Sequence, residues 1–274
     1  MRTVAALIRA SHPEPAVAVT TVAALVAVAT GRSWSGVVAA ALAVLTSQLA
    51  VGWVNDAIDA PRDAAVGRAD KPVPAGAVSR RTVAVAGVVA AVAVVPLALL
   101  SGPVAGAVAA LGMLSSLLYD WPLKSTPVSV LPYAVSFAAL PAFVVLGLPG
   151  APRPPGWMLA AGALMGAGAH FANTLPDLAD DARTGVRGLP HRLGPTGSRV
   201  AAAVLLLAAT AVLVFGPPGP PRWFGLAAFL GAAIVLPIGG YVASRRPASR
   251  AVFRAVLVVA VVDVALLVAS GLQV

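Results

Sequence analysis

Apolar stretches long enough to cross a bilayer recur along the chain, separated by short polar breaks. They lie at 15–30, 34–57, 82–100, 102–119, 127–148, 157–178, 198–216, 222–243 and 251–272. A helix needs about 20 residues to cross ~30 Å of hydrocarbon. The pattern therefore predicts an all-α integral membrane protein with nine transmembrane helices. The first stretch is short, and Ser101-Gly102-Pro103 leaves a tight boundary between the third and fourth. Residues 1–14 are too polar for a cleaved signal peptide: Arg2, Arg9, His12 and Glu14 surround a weak apolar patch. The segment reads as a short amphipathic one lying on the membrane surface, and residues 1–5 read equally as a frayed tail. The chain is expected to form a single membrane domain over 1–274.

Composition agrees with this pattern and excludes other classes. The chain is 59% hydrophobic and 11% charged, where a soluble domain averages about 25% charged residues. A soluble globule and a disordered chain are both excluded. The absence of cysteine removes disulfide scaffolds, thiolate metal sites and cysteine nucleophiles.

The net charge of +9 need not mean nucleic acid, because topology accounts for it. Nine spans place 16 of the 19 basic residues on the side of the N-terminus. Only Arg32, Arg153 and Arg222 fall on the other side. By the positive-inside rule the N-terminus and the loops after even-numbered spans are cytoplasmic, and the C-terminus is outside. The 17 Arg against 2 Lys, beside much Ala, Val and Gly, fit a high-GC bacterial genome and hence a bacterial plasma membrane. Trp34, Trp53, Trp121, Trp157 and Trp223 fall at or near span ends, where indole rings anchor at the interface.

The acids carry the chemistry. Nine of the ten lie on the cytoplasmic side, and six form two clusters at the ends of even-numbered spans. The first is Asn55, Asp56, Asp59 and Asp63. The second is Asp177, Asp180 and Asp181. On a helix Asn55, Asp59 and Asp63 share a face, as do Asp56, Asp59 and Asp63, and as do Asp177 and Asp181. Pro61 is a place where the first helix bends or ends. His170 and Asn173 precede Asp177 on its face, and Gln48 stands seven residues before Asn55. Each polar stripe thus runs down its helix into the membrane.

Like charges on one face repel, and an Asp at mid-membrane costs about 2.5–3.5 kcal/mol. Acids at a helix C-terminus also oppose the macrodipole, so capping does not explain them. Hard cations between the clusters do. Oxygen-only donors favour Mg²⁺, which retains waters and shares carboxylates with substrate phosphates. Each cluster is followed by basic residues with Gly and Pro. Arg68 and Lys71 follow the first, and Arg187 the second, placed to hold the remaining oxygens of a diphosphate. Arg80, Arg81, Arg245, Arg246 and Arg250 read as topology, and Asp70 and Glu14 as surface charge.

These residues resemble the UbiA superfamily of intramembrane prenyltransferases. NDAIDAPRD at 55–63 matches that family's N-D-x-x-D-x-x-x-D pattern, and DLADD at 177–181 matches D-x-x-x-D. ARTGVRGLPHRLG (182–194), DKPVPAG (70–76) and YDWPLK (119–124) are similar to its flanking segments. One departure is His12-Pro13-Glu14-Pro15, where members often carry Arg-Pro.

The resemblance implies a nine-helix bundle around a central cavity, with both acid motifs at its cytoplasmic mouth. It implies two Mg²⁺ ions bridging an isoprenyl diphosphate. Asn55, Asp56, Asp59 and Asp63 would serve one ion, and Asp177 and Asp181 the other, with Asp59, Asp63, Asp177 and Asp181 catalytic. Tyr119 and Lys124 would contact the diphosphate or the acceptor, although Tyr119 also reads as an interfacial anchor. The implied reaction ionises the allylic C–O bond and transfers the prenyl group to a lipophilic, aromatic-type acceptor. A terpene cyclase on the same scaffold, needing no acceptor, uses the same motifs. A non-enzymatic cation carrier is disfavoured by two complete motifs. His170 would orient an acceptor or fill a polar pocket, and Asp263, alone mid-span, would accept a proton or be buried neutral.

Overall fold

The computed structural model describes residues 2–245 and 251–270. Its elements are α1 (Arg2–Ala10), α2 (Pro13–Ala29), α3 (Trp34–Ala65), α4 (Arg80–Leu99), α5 (Pro103–Asp120), a 3₁₀ turn (Leu123–Ser125), α6 (Val130–Leu146), α7 (Gly156–Thr174), α8 (Leu178–Arg183), α9 (Leu189–Phe215), α10 (Trp223–Arg245) and α11 (Ala251–Ser270). Arg246 and Arg250, read as topology charges, lie outside the described residues, as does the end of the last predicted span.

Among the described residues each of the nine predicted stretches holds one helix of 17 residues or more. Five are long and apolar enough to cross a membrane by length and composition alone: Trp34–Ala65, Arg80–Leu99, Pro103–Asp120, Leu189–Phe215 and Trp223–Val242. α2 and α6, at 17 residues, rise only about 25 Å each. Valines such as Val88, Val89 and Val92 on α4 are exposed, as a lipid-facing surface requires.

Two ends of the bundle are marked by side-chain contacts. At one, Arg32 Nη2 donates to Ser101 Oγ at 2.8 Å and the guanidinium sits 6.0 Å over the Phe143 ring. That draws the α2–α3, α4–α5 and α6–α7 junctions together. At the other end, α3, α5 and α7 deliver their last residues to one mouth. α1 is a separate helix, bent 63° from α2, with His12 left-handed at φ 53°. Its Ala6 and Ala10 pack on Ala57, Val78 and Val83, and Trp53 Nε1 donates to the Leu7 carbonyl at 2.8 Å.

Three local features depart from the sequence expectation. α3 runs through Pro61 to Ala65, so the first acid motif is wholly helical. The chain breaks just ahead of the second motif: α7 stops at Thr174 and α8 restarts at Leu178, with Asp177 as its N-cap residue. Pro176 lacks the N–H that would continue α7, so Asp177 does not continue the stripe of His170 and Asn173. α9 is kinked at Gly194, whose φ of 68° ahead of Pro195 is not helical.

Helices in lipid gain little from apolar burial against one another, so close packing decides. Gly162 and Gly166, one turn apart on α7, face the α6 backbone. A Cβ at Gly162 would lie 2.7 Å from the Phe137 carbonyl oxygen and 3.2 Å from Ala138 Cα. Both are main-chain atoms that no rotamer moves aside. Gly162→Val is therefore expected to destabilise the bundle by about 1–3 kcal/mol, read as a lowered Tm in detergent. An unchanged Tm would refute this packing.

Candidate active site at the bundle mouth

The site assembles from five segments. α3 presents Asn55, Asp59, Arg62 and Asp63 to a cavity of about 580 Å³. Arg68 and Lys71 enter from the α3–α4 connection, Tyr119 and Asp120 from the end of α5, and Lys124 from the 3₁₀ turn. Asp177, Asp180 and Asp181 close the opposite side. This volume is ordinary for a small-molecule site. Below the mouth the walls are mostly apolar, with Val44, Val51, Met113, Leu140 and Phe143.

Most of the acids are held by a Lys or an Arg. Lys124 Nζ lies 2.7 Å from Asp59 Oδ2, and Arg62 also pairs with Asp59. Lys71 Nζ sits 2.8 Å from Asp63 Oδ2 and 3.3 Å from Asp56 Oδ1. Arg68 grips Asp70 with Nε at 3.0 Å and Nη2 at 3.1 Å, while its Nη1 reaches Asp177 at 3.3 Å. One guanidinium thus links the first motif's connection to the second motif.

The charges respond accordingly. The side-chain hydrogen bond to Arg68 holds Asp70 below the usual carboxylate range and Arg68 above its own. Burial opposes the charge on Lys71, but Asp63, Asp56 and Asp59 outweigh it and hold the ammonium above its ordinary value. Burial pushes Asp181 up, and nearby Asp177 and Asp59 add to the rise.

Asn55 is turned by a residue that sequence reasoning left aside. Its Nδ2 donates to Asp120 Oδ1 at 2.8 Å and lies 3.4 Å from Asp59 Oδ2. Both amide hydrogens are directed at carboxylates. Asp120 is 4% exposed. Its signal was in the sequence: an acid ending a span opposes the helix dipole there just as Asp59 does. Arg62 was also missed, having been counted with the topology charges.

Three predicted roles fare differently. Asp56 is 2% exposed and is not among the cavity-lining residues. It lies at the edge of the acid face, and the α1–α2 junction covers that edge, with His12 Nε2 at 3.5 Å. Of the four, Asn55, Asp59 and Asp63 line the cavity, and Asp56 reaches the mouth through Lys71, which it shares with Asp63. Arg187 is exposed and stands outside the cavity lining. Asp181 instead has His191 Nε2 at 3.6 Å. Tyr119 turns inward, edge-on to Tyr133 with ring centroids 4.9 Å apart.

His170 does not line the cavity. It is 1% exposed and its Nε2 meets Ser129 Oγ at 3.1 Å. Ser129 Oγ also accepts from the Leu189 N–H at 2.9 Å. Asp263 is fully buried away from the cavity and accepts from Thr210 Oγ1 at 2.7 Å.

Among the described residues no three carboxylates or imidazoles converge closely enough to chelate a metal by themselves. The donors form two half-sites, with oxygen donors on each. Such a mouth suits a cation content with one or two carboxylates, the rest of its shell coming from water and substrate phosphate.

The model of the UbiA prenyltransferase family matches residues 16–266. Comparison with curated protein sequences finds no match. Solved structures give a fold likeness at low identity. A UbiA homologue from Aeropyrum pernix K1, in its apo form, is 19% identical with a TM-score of 0.74, over 93% of this chain and 98% of that one. A UbiA homologue from Archaeoglobus fulgidus, bound to GPP and Mg²⁺, is 16% identical with a TM-score of 0.71, over 98% of this chain and all of that one. A digeranylgeranylglyceryl phosphate synthase is 13% identical with a TM-score of 0.71, both chains being fully covered. With two acid motifs facing each other across the mouth of an all-helical membrane bundle, and the family pattern running through nearly its whole length, the chain belongs to the UbiA prenyltransferase family.

Proposed function

We propose that this protein is a Mg²⁺-dependent intramembrane prenyltransferase that ionises an isoprenyl diphosphate and passes the prenyl group to a lipophilic acceptor. The observation that carries the reading is the pair of acid half-sites facing across the mouth of an apolar cavity, each already held by Lys or Arg. Asn55, Asp59 and Asp63 would hold cation on one side, and Asp177 and Asp181 on the other. Homologues from Archaeoglobus fulgidus bound to GPP or DMAPP with Mg²⁺ support the pairing of metal and diphosphate. Bound there, Mg²⁺ supplies positive charge against that developing on the leaving diphosphate.

The chain's own residues do the rest. Lys71, Lys124, Arg62 and Arg68 release their carboxylates and turn to diphosphate oxygens, where their charge favours departure. Tyr119 and Tyr133, packed edge to face, line the cavity, where aromatic rings stabilise an allylic cation. The apolar walls exclude the water that would quench it. The basic residues gathered on the mouth side support a cytoplasmic mouth, with the C-terminus outside.

The cavity also narrows the acceptor. Its charged lining residues, among those described, all belong to the mouth. Below it the polar groups are neutral: Ser47, Gln48, Ser116 and Ser136. Ser116 Oγ donates to Ser136 Oγ at 2.9 Å. Gln48 lies seven residues, about 10 Å of helix rise, below Asn55 and presents both a donor and an acceptor. An acceptor with a neutral hydrogen-bonding head, such as a phenol or quinol, fits this lining; a carboxylate has no cation to meet there.

Pyrophosphate release from purified protein in detergent tests the reading. C10 to C20 isoprenyl diphosphates are supplied with Mg²⁺, with and without phenolic acceptors. Release is expected to require an acceptor, and Gln48→Leu is expected to raise the acceptor KM about tenfold while leaving the diphosphate KM unchanged. A cyclic hydrocarbon formed from diphosphate alone would make the protein a terpene cyclase. No release with any acceptor would sink the enzyme reading, and an unmoved acceptor KM would remove Gln48 from it.

A further inference from the structure

We infer that Arg80 is a positioning residue for the acid face of α3, its guanidinium replacing the backbone hydrogen bond that Pro61 removes. In an α-helix the N–H of residue 61 would bond the carbonyl of residue 57. Proline has no N–H, so the Ala57 carbonyl loses its partner within the helix. Ala57 is 5% exposed, packed against Ala6, Ala10 and Val83, where an unsatisfied carbonyl is costly. Arg80 Nε donates to that oxygen at 2.7 Å.

A second observation sets Arg80 apart from an ordinary topology charge. It is the first residue of α4, where the helix dipole disfavours a cation. The end is already capped by Ser79 Oγ, which accepts from the Thr82 N–H at 3.0 Å. The capping therefore makes no use of Arg80, and its side chain crosses instead to the defect in α3.

The defect lies inside the motif. Asp59 stands two residues before Pro61 and Asp63 two residues after it. Sharp helix kinks, above about 20°, arise characteristically at proline, and a kink here would turn Asp63 away from Asp59 and the cavity. Charged donation from α4 lets the helix pass the proline and keeps both carboxylates on one face. The inference rests on the proposed prenyl transfer only where it concerns activity.

A four-protein cycle tests it: the native chain, Arg80→Ala, Pro61→Ala and the double variant. Amide hydrogen exchange at residues 62–65 is measured without metal or substrate, alongside the Mg²⁺ concentration giving half-maximal diphosphate release. Arg80→Ala is expected to lower protection about tenfold and to raise the Mg²⁺ requirement about tenfold, with Arg80→Lys restoring most of both. In the Pro61→Ala background, residue 61 regains its N–H and bonds Ala57 itself. There Arg80→Ala is expected to change either readout less than twofold. Equal effects in both backgrounds, or none in either, would overturn the inference. Arg80→Gln takes the place of Arg80→Ala if that variant does not fold. If no protein in the cycle releases diphosphate, prenyl transfer fails as the function, while exchange alone still decides the role of Arg80.

Discussion

Asp59→Asn lowers the rate of diphosphate release on the order of 10³-fold or more while the Tm in detergent stays within a few degrees. The size follows from its place. Asp59 meets both Lys124 and Arg62 and stands beside Asn55, so it joins three of the groups that would handle metal and leaving group. Removing one group that stabilises developing charge costs about 10²–10³-fold, and losing a metal carboxylate adds to that. Fold stability is largely spared because the amide keeps the carboxylate's shape, its oxygen still accepts from Lys124 or Arg62, and like-charge repulsion with Asp120 is relieved. Steady-state release with a C10 to C20 diphosphate and a phenolic acceptor reads the rate. Activity within tenfold of the native protein would remove Asp59 from the chemistry.

Lys124→Met separates the two partners that the ammonium serves. Without substrate, Lys124 occupies Asp59 Oδ2 at 2.7 Å and repels any divalent cation arriving there. Two unit charges 4 Å apart interact by about 4 kcal/mol at an effective dielectric of 20. Removing the ammonium is expected to tighten Mn²⁺ binding in the absence of diphosphate by about tenfold or more, measured by calorimetry. The same change is expected to cost about 100-fold in kcat/KM, because a charge-assisted donor to the diphosphate is gone. Tighter metal binding with slower turnover is the distinguishing pair. Weaker metal binding would mean that Lys124 organises the half-site rather than competing for it.

The same cations balance the acids of the mouth. Asp59, Asp63 and Asp177 each have a basic partner within 3.3 Å. The network holds the acids apart from one another and in reach of the cavity. It also explains why so few of the basic residues at the mouth are surplus to the site: Arg62, Arg68, Lys71 and Lys124 all line the cavity, whereas Arg187 does not.

Much of this was legible along the chain because it depends on local rules. Helical periodicity put Asn55, Asp59 and Asp63 on one face, and the cavity lining has all three. Hydropathy located most of the long helices to within a few residues, but it ended α3 eight residues early and started α9 nine residues late, where the helices run on into the polar mouth. Pro176 was a readable stop for α7, although the stripe from His170 to Asp177 was extended through it. The acid at the end of α5 was equally readable, since the reasoning that made Asp59 unusual applies to Asp120.

What the sequence alone determined is which residues are present at each helix end and with what period, because spans, caps and faces follow from neighbours a few positions away. What only the tertiary structure decided is which groups meet. Asp56 is covered by His12 and Lys71, and Asn55 is turned by Asp120 across 65 residues. Pro61 sits inside an unbroken helix because a carbonyl at 57 finds its donor at 80. A buried polar group must be paired wherever its partner comes from. In this bundle the partners come from other helices, at separations that periodicity does not encode.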